Sequence, residues 1–156
     1  MVLPTDKPEH GWFGWLLLAF GIMIALQGTQ QWIQRILHIA PQLQLTQLLA
    51  RTGGWPMFVG AAAVVVLGPA FEELFFRGCV LGSFQAYGYG ATGAIVSALL
   101  FSLAHRVPVL MPFYFGMGMI FAWLCLKTRS LWPPLVLHGV NNGLALFAYV
   151  ITHHKT

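Results

Sequence analysis

Residues 64–78 read VVVLGPAFEELFFRG, and this stretch decides the class of fold. Two adjacent glutamates, Glu72 and Glu73, lie inside a run that is otherwise apolar apart from Arg77. A carboxylate that is buried in hydrocarbon costs several kcal/mol unless it is paired or takes up a proton. A doubled carboxylate therefore needs a partner, and carboxylates inside a membrane usually have a function.

The composition of the whole chain is that of a membrane protein. Of its 156 residues, 58% are hydrophobic and 8% are charged, whereas soluble domains are about 45–50% apolar and about 25% charged. The alternating segments of about ten residues that mark a membrane β-barrel do not occur. The sequence thus predicts an all-α, polytopic bundle of transmembrane helices that forms a single membrane-embedded domain over residues 1–156.

The charge of the chain indicates its partners. The net charge is +4, with no basic run and no interleaving of basic and aromatic residues, so we expect no nucleic-acid partner. Loops that face anionic headgroups account for a modest basic excess. We expect an integral, multi-pass protein whose surroundings are the lipid bilayer.

Five apolar segments follow one another along the chain: from about Gly11 into the low thirties, 55–84, 90–105, 109–126 and 132–151. A membrane span needs about 20 residues at about 1.5 Å rise each. The second, fourth and fifth segments supply that length, whereas the first and third are shorter in strictly apolar residues.

Two segments in the N-terminal part of the chain can each be interpreted in two ways. The apolar run 12–26 has the length of a signal peptide, but no small-x-small cleavage site follows it, so a retained helix is favoured. The glutamine-rich stretch 27–52 carries apolar residues at roughly helical spacing. It is interpreted as the end of the first helix plus an interfacial amphipathic segment, with a plain loop as the alternative.

The polar residues of the later segments form three short patterns: Glu72-Glu73-x-x-x-Arg77, Phe101-x-x-x-His105 and His138-x-x-x-Asn142. In an antiparallel hairpin, Glu72 lies roughly 18 Å before the connecting loop and His105 roughly 21 Å after it. Asn142 lies roughly 17 Å into the fifth segment from the same side of the membrane. The three patterns are therefore predicted to share one layer near the middle of the membrane, where polar groups satisfy one another.

Helical spacing suggests a role for each residue. Glu73 and Arg77 are four residues apart and are expected to form a supporting ion pair. Glu72 points about 100° away from that face and is free to act as a general base or acid. His138 and Asn142 share a face and form a plausible oxyanion site, and His105 would position a water against Glu72. The chemistry would be amide hydrolysis by activated water.

Other interpretations of the same residues stay open. The pairs and the lone histidines are also explained as interhelical hydrogen bonds. Two glutamates and two histidines, Glu72, Glu73, His105 and His138, suit zinc, although their spacing does not demand a metal and no cofactor is required. Ser102 lies three residues before His105, but no Gly-x-Ser-x-Gly elbow occurs. Besides a peptidase, the sequence allows a non-catalytic, partner-binding membrane protein, or a proton or ion pathway.

Three stretches resemble the motifs of the CAAX-protease and bacteriocin-processing family of intramembrane endopeptidases. They are EELFFRG at 72–78, FSLAH at 101–105 and HGVNN at 138–142, and RSLWPP at 129–134 resembles the usual lead-in to the third motif. The likeness covers about 69–143, and a family-like core is expected over about 55–151.

The resemblance implies a membrane-embedded peptidase that acts on a peptide or protein substrate at or in the membrane. Glu72 and His105 would act on the catalytic water, and His138 and Asn142 would form the oxyanion site. Whether the family is of the glutamate type or metal-dependent is left open by the resemblance. It also implies a location in a bacterial plasma membrane, with a non-catalytic bacteriocin-immunity protein as the alternative to a peptidase.

Overall fold

The structure, a computed structural model, describes residues 11–38 and 54–153. Within these residues the chain folds into five helices: α1 (Trp12–Ile36), α2 (Gly54–Ala86), α3 (Gly90–Ala104), α4 (Met111–Thr128) and α5 (Trp132–His153). A 3₁₀ turn, Pro108–Leu110, leads into α4. The predicted all-α bundle is confirmed.

Three of the described helices are long and apolar enough to cross a membrane: α1, α2 and α4 with its preceding turn. The first apolar segment forms a helix that reaches the thirties, as expected: α1 continues through the glutamines to Ile36 and has 25 residues. α3 is a shorter apolar helix, and α5 has 22 residues. The predictions for residues 39–53, and the charged residues before Gly11, lie outside the described residues.

The outer surface of the bundle is apolar, as expected for a protein surrounded by lipid, and its interior combines an apolar core with several polar residues. Large apolar side chains such as Trp55, Phe71 and Phe147 are exposed on its surface. The buried residues include polar ones, listed here in chain order: Glu73, Arg77, Ser97, Ser102, Thr128 and His138. The two cysteines, Cys79 and Cys125, are free.

Helix α4 lies at the centre and packs closely against α3. A Cβ atom on Gly118 would lie 2.8 Å from the Cα of Ala98, closer than side-chain carbons approach backbone atoms. Small residues at such a crossing let two membrane helices approach each other and gain packing contacts. Around the crossing, buried Phe101, Phe121 and Leu124 form the apolar core.

Helix α2 contains two π-helical segments, Ala63–Leu67 and Leu74–Leu81. At the end of the first, the N–H of Gly68 donates to the carbonyl of Ala63, five residues back. In that register the carbonyl of Val64 would pair with the N–H of residue 69, which is proline and has none. The first π segment therefore presents a backbone acceptor to a neighbouring helix. Insertions of this kind are frequent at functional sites.

We predict that Gly118→Ala destabilises the bundle, because the new methyl group must displace the α3 backbone. The expected loss is about 1–3 kcal/mol, the usual cost of overpacking, measured as a lower thermal midpoint of the purified protein in detergent. Gly21→Ala is the matched control, since no atom lies within 4 Å of its added Cβ and alanine favours the helix by about 1 kcal/mol. Equal midpoints for both variants would show that the α3–α4 contact is looser than described.

Candidate active site

The predicted ion pair between Glu73 and Arg77 is present and buried. Arg77 Nη1 donates to Glu73 Oε1 over 2.9 Å, and the two side chains are 0% and 2% exposed. Arg77 Nη2 donates to the carbonyl of Gly118 over 3.0 Å, which ties α2 to α4. Gly118 thus takes part in two contacts: its missing side chain lets α3 lie close to α4, and its carbonyl accepts the hydrogen bond from the Arg77 guanidinium.

Aromatic rings enclose the Arg77 guanidinium. Its Cζ lies 4.7 Å from the ring centroid of Phe101, 5.2 Å from that of Phe121 and 5.8 Å from that of Phe76. Cation–π attraction at this range is worth about 2 kcal/mol when the cation is desolvated. The rings and the carboxylate together hold a charge that would otherwise be costly at this depth.

His138 on α5 joins the two glutamates. Its Nδ1 is 3.0 Å from Glu73 Oε1, and its Nε2 is 3.8 Å from Glu72 Oε2. Since the carboxylate of Glu73 is paired with Arg77 and accepts hydrogen bonds, Nδ1 carries the hydrogen that it donates to Oε1. The imidazole also stacks on Phe121, with ring centroids 4.8 Å apart. Both contacts fix the ring so that Nε2 faces Glu72.

The adjacent carboxylates have different surroundings. The Glu72 side chain is 37% exposed, whereas that of Glu73 is 2% exposed. Glu72 Oε2 is itself buried and makes no hydrogen bond to any described residue. Glu72 thus offers an oxygen with free lone pairs at the edge of a polar, enclosed site, as the sequence predicts for a general base.

His105 lies at the end of α3, where it caps the helix. Its Nδ1 is 2.8 Å from the carbonyl of Phe101, which can only accept a hydrogen bond, so Nδ1 carries the hydrogen and Nε2 keeps a lone pair. The ring of Phe101 connects the two histidines, since its centroid lies 4.6 Å from that of His105 and 5.8 Å from that of His138. The imidazole of His105 also stacks on Tyr114 of α4, 4.0 Å away.

Asn142 is not a free donor on the His138 face. Its Nδ2 donates to the carbonyl of Val64 over 3.0 Å, which satisfies the acceptor presented by the first π segment of α2. Its Oδ1 accepts a hydrogen bond from Asn141 Nδ2 over 3.1 Å. Asn141 and Asn142 are therefore linked through their side chains. One amide hydrogen of Asn142 is engaged by the backbone, and no hydrogen bond of the second to a described residue is seen.

Two residues at the site, Gln27 and Tyr114, were not predicted from the sequence. Gln27 of α1 donates its Nε2 hydrogen to Asn141 Oδ1, although its sequence neighbours indicate only the polar end of a helix. Tyr114 lies in an uncharged apolar run, where an aromatic residue carries no signal of its own. Counting helical turns along α1 would have placed Gln27 inside the membrane-spanning part of the helix, where a polar side chain needs a partner.

The serine alternative is disfavoured by the position of its hydroxyl. Ser102 Oγ donates to the carbonyl of Met111 over 2.7 Å, so it joins α3 to the start of α4. In this contact its hydrogen is already committed to the backbone. Ser102 is thus explained as an interhelical hydrogen bond.

The zinc alternative does not fit the described arrangement. Among the described residues, no three His, Cys, Asp or Glu side chains are placed so that they could hold a metal ion. Glu73 Oε1 is shared by Arg77 and His138, so only Oε2 of this carboxylate, which has no hydrogen bond to a described residue, is left as a ligand atom.

Comparison with known proteins matches this chain to one protein family and to two bacterial relatives. The family model described as type II CAAX prenyl endopeptidase Rce1-like matches residues 53–144. The "Membrane-embedded CAAX protease MroQ" of Staphylococcus aureus (strain USA300) is 29% identical over 154 residues, which cover 92% of this chain and 61% of that protein. The "Putative membrane peptidase YdiL" of Bacillus subtilis (strain 168) is 25% identical over 130 residues, 82% of this chain and 52% of that protein.

The chain thus spans less than two thirds of the length of each of these two relatives. No solved structure matches it significantly. Both relatives are bacterial and are named as membrane proteins. Together with the apolar helices, they confirm an integral membrane protein of a bacterium.

We predict that Arg77→Ala is strongly destabilising. Removing the guanidinium leaves the Glu73 carboxylate buried without its partner, which costs about 3–5 kcal/mol. The measurement is the thermal midpoint in detergent, together with the yield of folded protein. Arg35→Ala is the control, because Arg35 is exposed in the last turn of α1. An Arg77→Ala protein that melts with the wild type would contradict a buried pair.

Proposed function

Since this chain belongs to the family of Rce1-like type II CAAX prenyl endopeptidases, we propose that it is an intramembrane endopeptidase in which Glu72 activates the attacking water. The observation that carries this proposal is the unequal placement of the two glutamates. Glu73 is buried between Arg77 and His138, whereas Glu72 is half-exposed and its Oε2 is not hydrogen-bonded to any described residue. One carboxylate organises the site and the other is left for chemistry.

The proposed oxyanion role of His138 sets a requirement on its imidazole ring. Its Nδ1 hydrogen is donated to Glu73 Oε1, so stabilising a carbonyl oxygen needs a second hydrogen, on Nε2. In the proposed reaction this Nε2–H, 3.8 Å from Glu72 Oε2, points to the oxygen of the scissile carbonyl.

We propose a reaction that combines these positions with the predicted role of His105. A water that is held by Glu72, with the Nε2 lone pair of His105 as a second acceptor, loses a proton to the Glu72 carboxylate as its oxygen attacks the scissile carbonyl. The negative charge that forms on the carbonyl oxygen is stabilised by Nε2–H of His138 and by the second amide hydrogen of Asn142. As the tetrahedral intermediate collapses, the carboxylic acid of Glu72 returns the proton to the departing amine nitrogen.

The substrate class follows from the surroundings of the site. The polar cluster lies between apolar helices whose outer faces expose large hydrophobic side chains, so a peptide or protein segment at or in the membrane is the substrate we propose. The name of the relative from Staphylococcus aureus, a membrane-embedded CAAX protease, supports the same class. The alternatives are a non-catalytic protein, in which these contacts only join helices, and a proton pathway through Glu72 and His138.

We predict that Glu72→Gln abolishes cleavage while the fold is retained. Glutamine keeps the shape of the side chain and removes the base, and loss of a general base lowers turnover typically by about 10²–10⁴-fold. The wild-type protein in proteoliposomes is first incubated with a peptide library, and the products are identified by mass. The variant is then assayed on the cleaved peptide.

The thermal midpoint of Glu72→Gln serves as the folding control and should equal or exceed that of the wild type. Near wild-type turnover in this variant would falsify the role of Glu72 as base. A wild-type protein that cuts no peptide but conducts protons in liposomes would instead favour the pathway alternative.

We further predict that cleavage persists after metal removal. Glu72 and His105 can activate water without a metal, and Glu73 is engaged by Arg77 and His138. The measurement combines elemental analysis of chelator-treated protein with turnover of the same sample. If stoichiometric zinc is found, and its removal and return abolish and restore cleavage, the mechanism is metal-dependent and the arrangement of Glu73 must change on binding.

A further inference from the structure

A chain of side-chain amides connects α1 to the candidate active site. Gln27 Nε2 donates to Asn141 Oδ1, Asn141 Nδ2 donates to Asn142 Oδ1, and Asn142 Nδ2 donates to the carbonyl of Val64. The four groups come from three helices, α1, α5 and α2. Gln27 lies outside the region 53–144 that the family model matches.

The backbone carbonyl at the end of this chain sets the direction of every hydrogen bond in it. A carbonyl can only accept, so Asn142 must turn its Nδ2 toward Val64 and its Oδ1 toward Asn141. Asn141 must then offer Nδ2 to Asn142, which leaves its Oδ1 for α1. The residue at position 27 must therefore be a donor, and a glutamine meets this requirement with its amide group.

The acceptor at Val64 has a local cause. Pro69 supplies no N–H to the first π segment of α2, so this carbonyl depends on a donor from another helix. The same part of α2 also touches the backbone of α5, since a Cβ atom on Gly139 would lie 2.9 Å from the carbonyl oxygen of Val65. The position of α5 relative to α2 is thus fixed beside His138, the residue that precedes Gly139.

We infer that Gln27 is a positioning residue of the active site and that α1 is part of the catalytic unit. This inference rests on the proposed function. Gln27 orients Asn141, Asn141 orients Asn142, and Asn142 holds both the π segment and the remaining amide hydrogen that faces the substrate. A packing role alone would be met by any side chain of similar volume at position 27, whereas this role needs a hydrogen-bond donor.

The first measurement is independent of cleavage. The protein is labelled with ¹⁵N-asparagine, and the side-chain amide signal of Asn142 is assigned by its loss in Asn142→Ala. Gln27→Met, which removes the donor at similar volume, should shift that signal. Gln31→Met should not, because Gln31 is exposed on α1. An Asn142 signal that stays unchanged in Gln27→Met would overturn the inference, whatever the activity of the protein.

The second measurement is steady-state cleavage of the peptide that the wild type cuts. In Gln27→Met, kcat should fall about 10- to 100-fold with little change in KM, since displaced catalytic groups act mainly on the transition state. Gln27→Glu should lower kcat further, because its carboxylate opposes Asn141 Oδ1, whereas Gln31→Glu controls for the added charge. Gln27→Lys, which keeps a donor, should retain more activity than Gln27→Glu.

The outcomes separate the two proposals. Two outcomes would refute the positioning role and leave the proposed function intact, provided that the wild type cleaves a peptide. One is a kcat of Gln27→Met equal to that of the wild type. The other is an equal loss of kcat in Gln27→Glu and Gln27→Lys. A wild type that cleaves no peptide would refute the proposed function and the inference with it, while the amide signal would still report whether the hydrogen-bonded chain exists.

Discussion

The burial of Glu73 with Arg77 is the constraint on which the rest of the site depends. Buried charges are tolerated when they are paired and hydrogen-bonded. Arg77 finds its partners in Glu73, in the carbonyl of Gly118 and in the surrounding aromatic rings, while Arg77 Nε and Glu73 Oε2 are buried without a hydrogen bond to any described residue. The close crossing of α3 and α4 brings that carbonyl into reach, and His138 uses the remaining acceptor capacity of Glu73 Oε1. One ion pair thereby determines where α2, α4 and α5 meet.

The irregular backbone of α2 has a comparable influence. A regular helix satisfies all its own carbonyls and offers nothing to its neighbours. The π segment before Pro69 leaves the carbonyl of Val64 to Asn142, so α2 and α5 are joined by a hydrogen bond as well as by packing. Inside a bilayer, where water cannot replace a missing partner, such a bond is expected to fix register.

The sequence predicted much of the fold, because its turns are strongly marked. The apolar runs are separated by three clear breaks: glycines at 88 and 90, the stretch 106–108 and the basic loop 127–130. Helices α3 to α5 begin and end within about two residues of the limits that these breaks predict. The ion pair was predictable from spacing alone. The catalytic roles of Glu72, His105, His138 and Asn142 stay predictions.

Other features depend on contacts between distant residues. The first π segment lies just before Pro69 and its Val64 carbonyl takes a donor from another helix, and nothing in the local pattern of valines indicates this. Gln27 and Asn141 are 114 positions apart, and the residues between them give no sign of the pairing. The partners of the Asn142 amide were not predictable for the same reason, since helical spacing gives the face of a side chain but not its partner.

The doubled glutamate is best explained by the incompatibility of two tasks. A carboxylate that neutralises a buried guanidinium must keep its charge and its position, whereas a general base must gain and lose a proton during each turnover. If a single glutamate did both, each protonation of its carboxylate would leave the buried Arg77 guanidinium without a compensating negative charge. Adjacent positions on a helix point about 100° apart, which lets Glu73 hold the ion pair while Glu72 reaches the half-exposed edge. Under the proposed function, the pair of carboxylates therefore separates the stability of the site from its chemistry.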